Sequence, residues 1–136
     1  MFYYHASRTK FLRSSFLREE VDIRKSKGVT FKKVDVSNIV SVVELRNYIY
    51  GQQGQVDVLI NNAGQYYYYV AQSASEHFVQ VQRSLDINYW GLKNVINAFL
   101  PMMSDTGRIV NMSSHLGHLC SVPGEKLKKQ LGKRIF

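Results

Sequence analysis

Cysteine is almost missing from this chain: Cys120 is the single one in 136 residues. A lone thiol cannot close an internal disulfide, so a disulfide-built scaffold is excluded and the reducing cytoplasm is the expected compartment. Long hydrophobic runs are missing too. None approaches the roughly 18 residues of a membrane-spanning helix, and MFYYHASRTK at the N-terminus lacks the apolar core of a signal peptide, so no membrane association is expected. The histidines, His5, His77, His115 and His118, show no metal-ligand grouping beyond the last pair, and no metal site is expected. No His–Asn constellation accompanies Cys120, which reads as an ordinary thiol.

What is present describes a globular protein: 45% hydrophobic and 21% charged residues. A chain of this length forms one domain that buries roughly two thirds of its unfolded surface. The formal net charge of +8 sits at the ends: residues 1–34 carry nine basic and three acidic side chains, residues 125–136 five and one, and residues 35–124 four and six. A nucleic-acid binder more often gathers its positive charge on one face with interleaved aromatics, so nucleic-acid binding is not the expected function.

In chain order, FYYHASR at 2–8 suits a short strand. The spacing of Leu12, Phe16 and Ile23 then allows an amphipathic helix ending near Gly28. VTFKKVDV at 29–36 reads as a second strand with Asp35 at its C-terminal end. Ser37 or Asn38 can cap the next helix, whose apolar positions Val42, Leu45 and Ile49 run until Gly51 and Gly54 stop it. VDVLINNAG at 56–64 is a run of aliphatic residues entering two asparagines, a buried strand that opens into a ligand-facing turn. The tyrosines at 66–69 read as a loop bordering a pocket, or alternatively as an extension of the strand into an aggregation-prone edge. Phe78, Val81, Leu85, Tyr89, Leu92, Ile96, Phe99 and Met103 predict one long helix, with the poor helix formers Asn88 and Gly91 in its middle marking a kink or a function. Thr106-Gly107 makes a turn, RIVNM at 108–112 a fourth strand, and Ser113-Ser114 follow it; a basic helical segment lies near the C-terminus. This β-α-β-α-β-α-β pattern implies an α/β fold with a parallel sheet and right-handed crossovers. The strand ends at Asp35, Asn61-Asn62 and Ser113-Ser114 then converge on one crevice.

At this point the chain resembles the short-chain dehydrogenase/reductase family, in its carbonyl reductase branch. NNAG at 61–64, Asn88 in DINYWG and GRIVNMSS at 107–114 occur in that family's order and spacing, with 26 residues from Asn88 to Ser114 and 27 from Asp35 to Asn62. The tail CSVPGEKLKKQL is similar to the insertion that separates that branch's active-site serine from its tyrosine. The resemblance implies a partial Rossmann-like doubly wound sheet of about four strands, a single incomplete domain over 1–136 with a core at 29–114 and a basic segment at 115–136. It implies that Asp35 accepts from the adenine amino group with Val36 against the ring, and that Asn62, Ala63 and Gly64 line the cofactor. Arg8, or alternatively Lys10, pairs with the 2′-phosphate of NADPH. Ser114 hydrogen-bonds the substrate carbonyl, and Asn88 holds the helix kink and a water of the proton relay.

The same resemblance implies gaps. The family's T-G-x-x-x-G-x-G turn does not precede FYYHASR, and no Y-x-x-x-K pair is expected anywhere in the chain. The general-acid tyrosine and its lysine are therefore expected to be absent, with the chain truncated at both ends and NADP(H) binding weak or absent. The first strand of a 3-2-1-4-5-6 sheet lies at its centre. Its loss predicts that the strand at 2–7 pairs directly with that at 56–60. The expected activity is that of a piece of an NADPH-dependent reductase of small carbonyl substrates, inactive as it stands. The alternative is a non-catalytic module that associates with itself or a full-length partner through open strand edges.

Overall fold

The structure, a computed structural model, describes residues 2–6, 11–15, 30–66 and 73–132. Among them, β1 (Phe2–Ala6), β2 (Phe11–Ser15), β3 (Thr30–Val34), β4 (Val56–Asn61) and β5 (Met103–Asn111) form one sheet in the order β3-β1-β2-β4-β5. The helices are α1 (Ile39–Gln53), α2 (Ala74–Leu85), α3 (Leu92–Phe99) and α4 (Glu125–Gly132).

The unit β3-α1-β4 follows its sequence signals closely. Asn38 caps α1, its side chain accepting from the amides of Val40 and Ser41 at 3.0 and 3.4 Å. Gly54 ends the helix at φ 73°, a left-handed conformation that glycine adopts without a Cβ penalty. Val42, Leu45 and Ile49 turn to the interior and meet Val34 and Val36 from the end of β3, Val56 and Leu59 from β4, and Val95 and Phe99 from α3. This core lies on one face of the sheet. On the other face Val58 and Ile60 stay half-buried and Val110 is exposed.

The N-terminal third differs from expectation. The strand at 2–6 does not pair with β4; residues 11–15, expected to start a helix, form β2 and stand between them, with Phe11 opposite Val58 and Arg13 opposite Ile60. The physical reason is the sheet edge itself. A core strand such as β4 has backbone donors and acceptors on both sides, and leaving one row unpaired costs more than the modest helical preference of Leu12 and its neighbours. The parallel arrangement is also only partial. β1 runs antiparallel to both neighbours, Tyr3 facing Ser15 on one side and Ala6 facing Thr30 on the other. β2 runs parallel to β4, which runs parallel to β5, and β3, antiparallel to β1, points the same way. The C-terminal ends of β2, β3, β4 and β5 therefore share one edge.

The long helix is continuous but not uniform. Between α2 and α3, Asp86–Gly91 form a π-helical segment, the wider turn that holds one extra residue and recurs at functional sites. Its effect on the core is a change of phase. The buried line runs Gly91, Val95, Phe99 and Met102, whereas regular spacing predicts Leu92, Ile96, Phe99 and Met103. Phe78, Val81 and Leu85 before the π segment and Tyr89 within it are all exposed, and none of α2 is buried. β5 begins earlier than expected. Its register against β4 shifts between Val56 and Val58, where Ser104 to Gly107 bulge out. A Cβ on Gly107 would lie 2.8 Å from the Ser104 carbonyl oxygen, which is why glycine closes that bulge. Among the described residues no helix is long and apolar enough to cross a membrane.

Candidate functional site

The crevice is built at the C-terminal edge of β3, β4 and β5, from three loops and the helix behind them. Past β3 the chain makes a tight turn. Asp35 Oδ1 accepts from the Ser37 amide at 3.0 Å and from the Ser37 hydroxyl at 2.6 Å, the Asp35 amide donates to Ser41 Oγ at 3.0 Å, and the Asn38 amide donates to the Asp35 carbonyl at 3.1 Å. The carboxylate is thus held by one oxygen, in the solvent-exposed position from which it can accept a further donor with the other.

Past β4 the pairing of Asn61 with Asn111 sets the edge. Asn61, only 7% exposed, donates from Nδ2 to Asn111 Oδ1 at 2.8 Å, and the Met112 amide donates to the Asn61 carbonyl at 2.9 Å. The two strands stay zipped up to the residues that precede Ser114. Asn62 and Ala63 are half-buried, and Gly64 and Ser114 are exposed at the crevice edge. A Cβ on Gly64 would make only an ordinary contact, 3.5 Å, with Asn88 Oδ1; the absence of any side chain on this exposed residue leaves its backbone open to close approach.

Asn88 lies in the π segment and is fully used by this loop. Its Oδ1 accepts from the Gln65 amide and its Nδ2 donates to the Gln65 carbonyl, both at 2.8 Å. One side-chain amide thereby satisfies both backbone groups of the residue after Gly64, as a neighbouring strand would. Asn88 thus holds the NNAG turn, a role that the expectation of a relay water does not include.

One expected residue is placed differently. The Val36 side chain is 2% exposed and packs on Gly91, where an added methyl would sit 2.7 Å from Val36 Cγ2; Val36 faces the core and presents only its backbone to the crevice. Arg8 and Lys10 lie outside the described residues. The strand that leads to them ends at Ala6, opposite Thr30, at the edge of the sheet away from Asp35. The tyrosines at 67–69 also lie outside the described residues, and Tyr66 is exposed.

The expectation that the tyrosine–lysine pair is absent needs one correction from the sequence itself. YWGLK at 89–93 has Tyr-x-x-x-Lys spacing. Both residues stand on the long helix, and Lys93 Nζ lies over the ring faces of Tyr89 and Trp90, 5.4 and 5.1 Å from their centroids. That is a cation–π contact on the exposed helix surface. Sequence reasoning marked Gly91 as a kink or a function but passed over Asn94; both contact Val36 from the helix. A glycine in a long apolar helix followed one turn later by asparagine is the signal that was available for them.

Comparison with known proteins agrees with this architecture. The short chain dehydrogenase family profile matches residues 12–125. Short-chain dehydrogenase/reductase 1 of Saponaria officinalis is 32% identical over 127 residues, covering 79% of this chain and 42% of that protein. Human carbonyl reductase [NADPH] 1 is 33% identical over 84 residues, covering 62% of this chain and 30% of the relative. Among solved structures, salutaridine reductase from Papaver somniferum superposes with a TM-score of 0.64 at 27% identity, covering 74% of this chain and 45% of the other. The chain thus spans less than half the length of these relatives. With the family profile over 12–125 and the NNAG turn, π segment and serine ranged along one sheet edge, the chain belongs to the short-chain dehydrogenase family.

Proposed function

We propose that this chain is one part of an NADPH-dependent carbonyl reductase-like oxidoreductase, supplying the adenine side and the floor of the cofactor crevice together with the substrate-polarising serine. The observation that carries the reading is the convergence of the Asp35–Ser37 turn and the Asn62–Gly64 turn on one helix, through Asn94 and Asn88 respectively. The donor set fits an adenine nucleotide. Asp35 keeps a carboxylate oxygen for the adenine amino group, and the exposed Gly64 admits a flat group close to the backbone.

When bound, the nicotinamide supplies the hydride in such chemistry. The part of this chain's residues is to hold and polarise. Ser114 donates to the substrate carbonyl oxygen and stabilises the negative charge that gathers there. Asn88 keeps the NNAG turn in register so that the reacting faces stay at a fixed separation. A general acid must protonate the product alkoxide, and no tyrosine follows Ser114 in the sequence to serve. Nor does a glycine-rich phosphate turn precede the first strand. The reading therefore expects weak adenine-nucleotide binding and negligible turnover from these 136 residues, in a soluble cytoplasmic setting. NADPH oxidation with a quinone or aromatic ketone is the test. A rate at the no-protein background is expected, and a rate clearly above it would overturn the inactivity.

A second reading, a non-catalytic interaction module, is favoured by one observation: the exposed apolar stripe of Phe78, Val81, Leu85 and Tyr89 along α2 and the turn that follows it. Size-exclusion chromatography separates the two readings. A single defined oligomer supports the module, and a monomer or non-specific aggregate supports the partial enzyme.

A further inference from the structure

Asn94 belongs to none of the sequence motifs that identify the site, yet it touches the crevice through its most exposed turn. It sits in α3, one turn past Gly91, and its Nδ2 donates to the Val36 carbonyl at 3.2 Å, a partly buried bond between residues 58 positions apart. Asparagine in a helix interior is poorer than alanine or leucine by about 0.5 kcal/mol, so its presence on the inward side of an otherwise apolar helix needs a reason. The backbone supplies one. Val36 lies beyond the last residue of β3, its side chain is buried against Gly91, and its carbonyl is outside the strand ladder. A carbonyl there requires a partner.

The bond does more than satisfy an oxygen. The turn from Asp35 to Asn38 is tied internally through Asp35 Oδ1 and to α1 through Ser41. Those ties fix its shape and its approach to α1. Its position relative to the rest of the crevice is set where Val36 meets the long helix, by the Gly91 contact on the side-chain face and by Asn94 on the carbonyl. The same helix grips the NNAG turn six residues earlier through Asn88. Both walls of the crevice are therefore indexed to one rigid segment.

We propose that Asn94 is a positioning residue for adenine-nucleotide recognition: by holding the Val36 carbonyl it presets the Asp35–Ser37 turn at the spacing from Gly64 that an adenosine moiety requires. This rests on the cofactor reading above, and its test is arranged so that the two can fail separately. Native chain, Asn94→Leu and Asn94→Gln are compared as the full 136 residues. Leucine removes the donor while keeping the same branched side-chain skeleton, whereas glutamine keeps a donor. Two quantities are read by NMR under conditions where urea unfolding shows all three fully folded: amide hydrogen exchange at Asp35, Ser37 and Asn38, and affinity for 2′,5′-ADP.

In Asn94→Leu, exchange at those amides is expected to speed up roughly three- to tenfold, the equivalent of one ordinary hydrogen bond, and 2′,5′-ADP to weaken by a similar factor. Asn94→Gln is expected to recover at least part of both. Native-like exchange and affinity in Asn94→Leu would overturn the inference. So would faster exchange with undiminished affinity, which assigns Asn94 a purely structural role. A native chain that binds no 2′,5′-ADP overturns it through the cofactor reading, and the exchange data then show whether the tether itself holds.

Discussion

Two helical glycines should respond to the same substitution with opposite sign. Gly91 ends the π segment in close packing: an added methyl would lie 2.7 Å from Val36 Cγ2 and 3.2 Å from both Val36 Cβ and the Asp86 carbonyl oxygen. Val36 is 2% exposed and has no free space to retreat into. Overpacking of this kind costs about 1–3 kcal/mol, and the gain in helix propensity from glycine to alanine returns at most about 1 kcal/mol. Gly91→Ala is therefore expected to destabilise the chain by about 1 kcal/mol net. Gly51, in the last turn of α1, has nothing within 4 Å of its added methyl and no positive φ. Gly51→Ala is expected to stabilise by about 0.5–1 kcal/mol. Urea unfolding followed by circular dichroism gives both numbers, provided the slopes stay equal. If Gly91→Ala proves as stabilising as Gly51→Ala, the close approach of helix and Val36 is wrong, and with it the anchoring of the Asp35 turn.

Two further outcomes are expected. Asn38→Ala removes both cap bonds of α1 and should cost about 1 kcal/mol in the same unfolding assay. Phe99→Ala empties a site that is 0% exposed at the junction of α1, α3 and the sheet; a loss of about 3–5 kcal/mol is expected, enough to abolish the cooperative transition if the native margin is small.

The elements legible in the sequence are those whose local signals agree with their neighbours. In β3-α1-β4, the cap at Asn38, the stop at Gly54 and the inward set Val42, Leu45 and Ile49 all point one way, and the fold keeps each of them. The N-terminal segment was not legible because its local and global demands conflict. Leu12, Phe16 and Ile23 have helical spacing, but the unpaired side of β4 draws residues 11–15 into the sheet, a demand visible only once the order of strands is known. The long helix was legible in extent and not in phase, since the extra residue of the π segment moves the buried line from Leu92 and Ile96 to Gly91 and Val95. In the site, Asp35, Asn88 and the NNAG turn carried recognisable spacing. The family resemblance implied Val36 as a ring contact, and a small apolar residue after a strand carries no local signal of whether it faces a ligand or a helix. Asn94 shows its part only through a bond to a residue 58 positions away.

The central claim is that the edge shared by the C-terminal ends of β3 and β4 is the adenine-nucleotide wall of the crevice. Its most direct test is a titration of the isotopically labelled chain with 2′,5′-ADP, followed amide by amide. Saturating shifts confined to Asp35–Ser37 and Asn62–Gln65, at millimolar ligand, are the predicted result. Shifts spread over the lysines of α4 with none at those two turns would contradict it.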